Sequence, residues 1–404
     1  MNRILILYAS LGGGHVSAAE ALCDAFSRHQ DIEVECEDAL EHASSIYRGV
    51  VRNAYEQLSE KVPLLYKAFY DGSNVDDLER SLDNNKTWAK LERPFFKKLG
   101  EVVRESKPDA IVCVQQIPSR LLQLLDRDDE VSSIPQYVVV TDAVVHSTWI
   151  NRGVRGYFLP NDISRRMLVQ RGIDRSKLHV NGIPIDLSIL QPKTKRQARQ
   201  QLELPTDRPV ISVFGGGLNP KRVNLMVADL LESPNPAHIV VAAGRNDDLL
   251  EAMEDLEGNA TVQLQKVGLI DYVDDLVVAS DLAITKAGGL ITSEILARGT
   301  PMVIVDPIPG QEEENADVIA AAGAGIQIRL PEMVAPAVRF LLRHPSRLEE
   351  MHQWALELGK PSAALDIADS IANDLKNDIS SMRDSSGRDD TTGAIAEAVP
   401  CTAQ

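Results

Sequence analysis

The sequence has few cysteines, a deficit of basic residues and no long hydrophobic run. Its four cysteines form no CxxC pair and show no ligand-like spacing, which argues against a disulfide framework or a zinc site and favours a reducing cytoplasm. Lysine and arginine total 42 against 59 acidic residues, a net charge of −17, whereas a general nucleic-acid-binding protein needs a basic face. Because no run approaches the roughly 20 apolar residues that span a bilayer, we expect any membrane contact to be peripheral.

Strand-like apolar runs alternate with helical patterns along both halves of the 404 residues. This alternation predicts parallel sheets joined by right-handed crossovers, hence an α/β protein with two doubly wound Rossmann-like domains facing across a cleft. The predicted strands are 3–10, 32–36, 109–114, 136–142, 156–160 and 177–182 in the first half, and 209–217, 237–246, 261–267, 281–289, 301–307 and 324–330 in the second.

Composition places the domain boundaries. Residues 183–206 contain three prolines and no strong strand, so we interpret them as the connection between domains 1–182 and 207–375. Residues 376–404 are small and polar and are predicted to form a disordered tail.

Two motifs of the first domain carry candidate catalytic groups. In LGGGH (11–15), Gly13 and Gly14 let the backbone approach an acceptor or a phosphate, and His15 is placed at a helix start, where it suits a general base. TDAVVHSTW (141–149) puts Asp142 and His146 beyond a strand, where they would orient or deprotonate an acceptor hydroxyl. A tight turn with a solvent-facing histidine, and a hydrogen-bonded structural histidine, are the alternatives.

The second domain has three motifs suited to a nucleotide-sugar. FGGG (214–217) and ITKAGG (284–289) are glycine turns after strands, and helix amides after the second can hold a diphosphate. Glu294, on that helix, can accept hydrogen bonds from ribose hydroxyls. PIPGQEEEN (307–315) presents Gln311 and Glu312, whose amide and carboxylate suit sugar hydroxyls, although a solvated acidic loop is the alternative.

One further motif, DRDD at 126–129, contains the D-x-D spacing that holds a divalent cation in some sugar transferases. Because it follows LLQLL without a strand, we interpret it as the charged end of a helix and predict no metal site.

Taken in order, LGGGH, TDxxxHxxW, NGIPID (181–186), FGGG, GRN (244–246), ITKAGG and IPGQEEEN resemble the monogalactosyldiacylglycerol synthase and processive diacylglycerol glucosyltransferase family. The resemblance to the lipid-linked N-acetylglucosamine transferase of peptidoglycan synthesis is more distant. The resemblance to the diacylglycerol glycosyltransferase family covers about residues 3–330 and is most specific over 265–325.

The resemblance implies a GT-B fold and an inverting, metal-independent and cofactor-free transfer of a hexose from a UDP-sugar to a lipid hydroxyl such as that of diacylglycerol. It implies His15 as the base, with Asp142 and His146 as alternates. The donor positions that match the family are Gly215, Gly216, Thr285, Gly288 and Gly289 at the diphosphate, Arg245 and Asn246 near the nucleoside, Glu294 at the ribose, and Gln311 and Glu312 at the sugar.

Other functions remain open on the sequence. A GT-B enzyme with a polyprenyl-linked or soluble acceptor, an epimerase of a UDP-sugar, or a nucleotide-sugar-binding protein without transfer would share the donor half. An intact base in the first domain distinguishes transfer from binding alone.

A basic, aromatic segment of the first domain suggests where a lipid would meet the protein. Residues 86–107 and 46–70 mix basic, aromatic and apolar residues, a pattern typical of helices that lie on anionic headgroups at the inner face of a membrane. The predicted membrane residues are Trp88, Phe95, Phe96, Lys97 and Lys98. The alternative is that the aromatic residues pack on the sheet while the lysines are solvated.

Overall fold

A computed structural model describes residues 1–56, 62–125, 131 and 133–386. Within them the chain forms two six-stranded parallel sheets, and all twelve predicted strands are confirmed. The strands of the first sheet are β1 (Asn2–Tyr8), β2 (Ile32–Asp38), β3 (Ala110–Cys113), β4 (Gln136–Val139), β5 (Val154–Leu159) and β6 (Leu178–Val180). Those of the second are β7 (Val210–Phe214), β8 (Ala237–Ala242), β9 (Val262–Val267), β10 (Leu282–Thr285), β11 (Met302–Val305) and β12 (Gly325–Ile328).

The first sheet has the order β2-β1-β3-β4-β5-β6, so the strand order reverses beside β1. Its central strands are apolar on both faces because helices cover both. The helices are α1 (Gly13–Phe26), α2 (Ser45–Glu56), α3 (Pro63–Ser73), α4 (Leu78–Glu92), α5 (Leu99–Ser106), α6 (Gln116–Leu122) and α7 (Asp162–Gln170).

The second sheet has the order β12-β11-β10-β7-β8-β9, with its reversal between β7 and β10. Ligands of such sheets bind beyond the carboxyl ends of the strands at this reversal. The connection contains α8 (Lys195–Gln201), and the later helices are α9 (Pro220–Leu231), α10 (Asp247–Ala252), α11 (Val273–Ala279), α12 (Gly289–Ala297), α13 (Gln311–Ala321), α14 (Val334–Leu342), α15 (Pro345–Leu358) and α16 (Ala363–Ser386).

The last helix corrects two expectations about the chain's end. Ile367 and Ile371 of α16 are fully buried in the core of the first sheet, together with Leu22 and Phe26 of α1. The segment 363–375, assigned from sequence to the second domain, therefore packs with the first. Residues 376–386, assigned to a disordered tail, continue the same helix, and the remainder of the tail lies outside the described residues.

One cysteine pair also departs from the sequence analysis. Cys23 of α1 and Cys36 of β2 form a disulfide with a Cα–Cα distance of 6.7 Å, although no disulfide framework was expected. Their spacing of 13 residues follows no motif; the two meet because α1 packs on the strand that follows it. The D-x-D segment 126–129 lies outside the described residues. Within the described part of the chain, no helix is long and apolar enough to cross a bilayer.

Candidate active site

The first turn of α1 and the end of β4 bring two predicted residues of the first domain together. Gly12 has a φ of +83°, which only glycine adopts readily, and α1 starts at Gly13 directly beyond it. His15 follows on the first turn, with its Nδ1 3.0 Å from the Thr141 hydroxyl. The turn therefore aims the imidazole at the segment that carries Asp142.

Burial keeps the His15 ring neutral. It lowers the pKa of this histidine to about 4, and a hydrogen bond with the Val114 backbone opposes the shift only in part. Because the Val114 carbonyl can only accept, the ring nitrogen facing it carries the proton and the other keeps its lone pair. That is the protonation state required of a general base at neutral pH.

Asp142 lies at the interface between the two domains. Its carboxylate accepts a hydrogen bond from the side-chain amide of Gln311 at the start of α13, and only 7% of the residue is exposed. Burial raises the pKa of Asp142 to about 6, against the effect of the Gln311 hydrogen bond. The carboxyl is thus mostly ionised at neutral pH but close to its titration range.

His146 has a different environment from the other two candidates. Its Nδ1 accepts from the Thr148 amide at 3.2 Å, and its Nε2 lies 3.0 Å from the Tyr70 carbonyl. Burial lowers its pKa to about 4. Both ring nitrogens have partners, as in His15, but His146 is only 4% exposed whereas His15 is half-buried, so an acceptor can reach His146 less easily. The geometry therefore favours the structural alternative, in which His146 anchors α3 to the loop after β4.

The glycine turns of the second domain meet at the reversal of the strand order. The Gly215 amide donates to the Ala242 carbonyl at 2.8 Å, and a Cβ on Gly215 would lie 2.4 Å from the Leu249 side chain. A Cβ on Gly216 would lie 3.4 Å from the Ala243 carbonyl. A side chain at position 215 would therefore displace Leu249, whereas one at position 216 would make only an ordinary contact with the end of β8.

The start of α12 faces the first domain. Gly288 is its N-cap and offers no side chain to the first amides of the helix. A Cβ on Gly289 would lie 2.2 Å from the Thr141 carbonyl oxygen, and one on Gly14 would lie 3.8 Å from Leu290. The start of α12 thus lies beside Thr141, the neighbour of Asp142, and beside Gly14, the neighbour of His15. Thr285, at the end of β10, is buried below them.

The acidic residues at the site differ in their surroundings. Burial raises the pKa of Glu294 on α12 to about 7, with further contributions from the negative charges of Asp274 and Asp186. Glu312 is buried, and one of its oxygens accepts from the Ile308 amide at 2.8 Å while the other lies 3.1 Å from Lys286 Nζ. Glu312 is thus an internal ion-pair partner, which sequence spacing did not show.

The two candidates for nucleoside binding, Arg245 and Asn246, lie in the GRN turn after β8. The Asn246 side chain caps α10 by accepting from the Leu249 amide at 3.1 Å and donates to the Leu218 carbonyl at 3.2 Å. It thus fixes the GRN turn to the FGGG turn. Arg245 is exposed beside it, beyond the carboxyl end of β8.

Asn315 ends the PIPGQEEEN motif but was assigned no role in the site, and α3 was not predicted to belong to it. The Asn315 side chain accepts from the Ala143 amide at 2.8 Å and donates to the Ala287 carbonyl at 2.9 Å, so it bridges the domains. From α3, Lys67 pairs with Glu313 at 2.9 Å and the Tyr70 hydroxyl donates to Glu314 at 3.0 Å. The hydrophobic and basic composition of 46–70 suggested a surface helix, whereas one side of α3 faces the cleft.

The predicted membrane residues divide into two groups. Trp88 and Phe95 are 42% and 40% exposed, and Lys97 and Lys98 are exposed. Phe96 is only 4% exposed and packs edge-on against Tyr47 at 4.9 Å. Its assignment to a membrane surface is therefore wrong, because its side chain is turned into the core.

Comparison with known proteins finds matches over most of the chain. Residues 15–185 match the family model of monogalactosyldiacylglycerol (MGDG) synthase, and residues 210–371 match that of the glycosyltransferase family 28 C-terminal domain. A processive diacylglycerol beta-glucosyltransferase of Bacillus pumilus is 29% identical over 87% of this chain and 90% of its own. Monogalactosyldiacylglycerol synthase 3 of Arabidopsis thaliana is 29% identical over 92% of this chain and 81% of its own.

Solved structures agree on the fold. The crystal structure of MurG from Acinetobacter baumannii superposes with a TM-score of 0.61 at 18% identity, covering 92% of this chain and all of that one. Both sheets and their arrangement are those of a GT-B protein, as expected from the sequence.

Proposed function

Because this chain belongs to the family of monogalactosyldiacylglycerol synthases and processive diacylglycerol glucosyltransferases, we propose that it transfers a hexose from a UDP-sugar to the free hydroxyl of diacylglycerol. The observation that carries the proposal is the position of Thr141, which lies next to Asp142, bonds His15 and closely contacts Gly289 at the start of α12. A base and a site for a departing diphosphate thus face each other across the domain interface.

The proposed reaction is a single displacement. The acceptor oxygen attacks the anomeric carbon from the face opposite UDP, its proton passes to the neutral His15 ring, and the bond between the sugar and the diphosphate oxygen breaks. Negative charge grows on UDP, and the uncapped amides of α12 stabilise it with their aligned dipoles. The product is a glycoside of inverted anomeric configuration, and no cofactor is required. Asp142 is the alternative base.

An apolar face on the first domain supports a lipid acceptor. Large hydrophobic side chains of α2, α3 and α4 and their neighbours are exposed by between 40% and 79%, and Phe69 and Trp88 contact each other with ring centroids 6.4 Å apart. An exposed apolar surface of this kind marks an interaction site. The residues of this apolar face are Ile46, Val50, Val62, Leu64, Leu65, Phe69, Trp88, Leu91 and Phe95.

Helix α3 connects the apolar face with the cleft. Leu64 and Phe69 are exposed, while Tyr66 is partly buried and close enough to Asp142 that this negative charge contributes, after burial, to raising the tyrosine pKa to about 12. A lipid entering beside α3 would meet the catalytic segment within one helix diameter. With Lys97 and Lys98 next to Phe95, the face suits an anionic membrane surface, in our proposal at the inner face of the membrane.

A labelled-donor screen tests the activity. The full chain is incubated with diacylglycerol liposomes and, in turn, labelled UDP-glucose, UDP-galactose, UDP-glucuronic acid and UDP-N-acetylglucosamine, and the organic phase is chromatographed. We expect labelled glycolipid from at least one donor. His15→Ala should lower turnover and leave UDP affinity nearly unchanged, whereas the exposed His344→Ala should change neither. Absence of organic-phase label from every donor would overturn the proposal.

Co-sedimentation with liposomes tests the membrane surface. Binding should require anionic lipid and weaken as salt is raised. Leu64→Asp should reduce it, while Leu225→Asp, a matched change at a 39% exposed leucine of the second domain, should not. Binding that ignores lipid charge, salt and Leu64→Asp would remove the membrane surface from the proposal.

A further inference from the structure

A lysine side chain occupies the place where the two glycine turns of the second domain meet. Lys286 follows β10 and extends across the turn after β7, so that a Cβ on Gly217 would lie 2.4 Å from its Cε and 2.7 Å from its Nζ. Both turns lie beyond neighbouring strands at the reversal of the strand order. Glycine at position 217 therefore gives this ammonium group its place at the proposed diphosphate site.

Glu312 holds the ammonium group in this position. Its Oε1 is 3.1 Å from Lys286 Nζ, and its Oε2 remains bonded to the Ile308 amide at 2.8 Å. The Glu312 side chain is only 9% exposed and that of Lys286 24% exposed, so the pair faces the cleft from its lysine end. An anion arriving in the cleft would reach the lysine first.

The charge of a diphosphate indicates a function for the pair of Lys286 and Glu312. A helix N-terminus supplies about half an elementary charge, which is less than a diphosphate needs. We infer that Lys286 is the cation that binds the diphosphate of the donor, and that Glu312 holds it in place until the donor arrives. This inference rests on the proposed function and deepens it, since it names the side chain that meets the charge on UDP.

The movement of Lys286 from Glu312 to the diphosphate also affects how the donor sugar is recognised. When Nζ turns from Glu312 to the diphosphate, Oε1 loses its partner while Oε2 keeps the Ile308 amide, so the carboxylate stays in place. The freed oxygen can then accept a hydrogen bond from a hydroxyl of the donor sugar. Binding of the phosphates thus prepares the residue that contacts the sugar. Lys286 also gains interaction energy as charge grows on UDP during transfer.

Calorimetry of the full chain with UDP and UMP tests the inference. Lys286→Met should weaken UDP binding about 10- to 100-fold, the range for loss of one charge-assisted hydrogen bond, and UMP binding much less. Lys286→Arg should recover part of the loss. Lys376→Met, an exposed lysine paired with Asp31, has the same change of charge and should bind UDP like the wild type.

Two variants separate a ligand role from a structural one. Glu312→Gln removes the competitor for Lys286 and should tighten UDP binding while it lowers turnover of the UDP-sugar. A merely structural pair would instead leave UDP affinity unchanged or reduced along with thermal stability. Lys286→Met combined with Glu312→Gln leaves no buried carboxylate without a partner and should still bind UDP weakly.

The outcomes also separate this inference from the proposed function. Wild-type UDP affinity in Lys286→Met, with glycolipid still formed by the wild type, would overturn the role of Lys286 alone. Equal losses of affinity for UDP and UMP would also overturn it, because the lysine would then not bind the second phosphate. If the wild-type chain binds no UDP at all, the proposed function itself fails.

Discussion

One imidazole and one carboxyl group at the cleft have pKa values that the same cause displaces in opposite directions. Burial disfavours the charged form of each, which lowers the pKa of His15 to about 4 and raises that of Asp142 to about 6. At neutral pH the site therefore combines a neutral imidazole with a carboxylate that is close to taking up a proton.

The pH dependence of kcat/KM distinguishes the two groups. Below about pH 6 Asp142 becomes protonated and the negative charge that accepts the Gln311 hydrogen bond at the domain interface is lost, so we expect kcat/KM to fall through this range. Asp142→Asn should be less active and lack this acid limb, whereas His15→Ala should be less active at every pH with the limb in place. A limb found only near pH 4 would assign it to His15.

Glu294 gives a second pH prediction. Its pKa of about 7 means that ionisation, which favours hydrogen bonds from ribose hydroxyls, is completed as pH rises above neutrality. Affinity for a UDP-sugar should therefore increase between about pH 6 and pH 8. The Glu294→Gln variant should bind the UDP-sugar more weakly, with an affinity that does not change over this pH range. An intact UDP-sugar is the right ligand for calorimetry, because its substituted diphosphate does not titrate there. A flat wild-type profile would contradict the ribose assignment.

For single residues, the sequence predicts the place of a residue in the fold better than it predicts which partners its side chain reaches. His15 and Asp142 could be identified because each follows a strand, and strand ends of a parallel sheet meet at one edge. Asn315 and Lys286 could not, since their roles depend on side chains that reach across to another turn or domain. His146 has the right place in the motif, but the sequence does not show that Tyr70 and Thr148 take up its ring nitrogens.

Among the elements, α16 shows most clearly what packing adds. Its small and apolar residues recur at helical spacing, which makes an amphipathic helix predictable, but that spacing does not identify the sheet it covers. The structure places it on α1 and the first sheet, where Arg155 pairs with Asp374 at 2.7 Å and with Asp378 at 2.5 Å. The strands were predictable because a twice-covered strand must be apolar throughout.

Truncating a buried side chain of α16 tests this packing. Ile371→Ala should lower the free energy of unfolding of the first domain by about 2–5 kcal/mol, because it removes a fully buried side chain from a packed core. Urea unfolding followed by the fluorescence of Trp149, buried in the same domain, measures it. Lys376→Ala on the same helix should change stability by less than about 0.5 kcal/mol. Equal effects of the two would contradict the packing described.

At the scale of the whole molecule, the proposed reaction depends on close approach of the two domains. Hydrogen bonds and ion pairs from Asp142, Ala143, Lys67 and Tyr70 of the first domain all end on α13 of the second. The sequence predicted both domains and the cleft. It could not predict these contacts, because they join residues more than 160 positions apart.

A methyl group at the interface tests the need for closure. Gly289→Ala would place a Cβ 2.2 Å from the Thr141 carbonyl oxygen, so the domains could not approach fully. We expect turnover to be largely lost and the radius of gyration from small-angle scattering to increase, while UDP still binds the second domain. Gly268→Ala, whose Cβ would meet only contacts of 3.8 Å or more, should change neither measurement. Full activity of Gly289→Ala would contradict the need for this contact.

The return of α16 to the first domain means that the backbone passes between the domains twice, near residue 182 and again near residue 360. The two passages touch, since a Cβ on Gly182 would lie 2.4 Å from the Lys360 Cβ. Because the two crossings are in contact, we expect the domains to rotate about an axis that passes near residues 182 and 360 when the cleft opens or closes. The two faces of the cleft would then meet in the same relative position each time it closes.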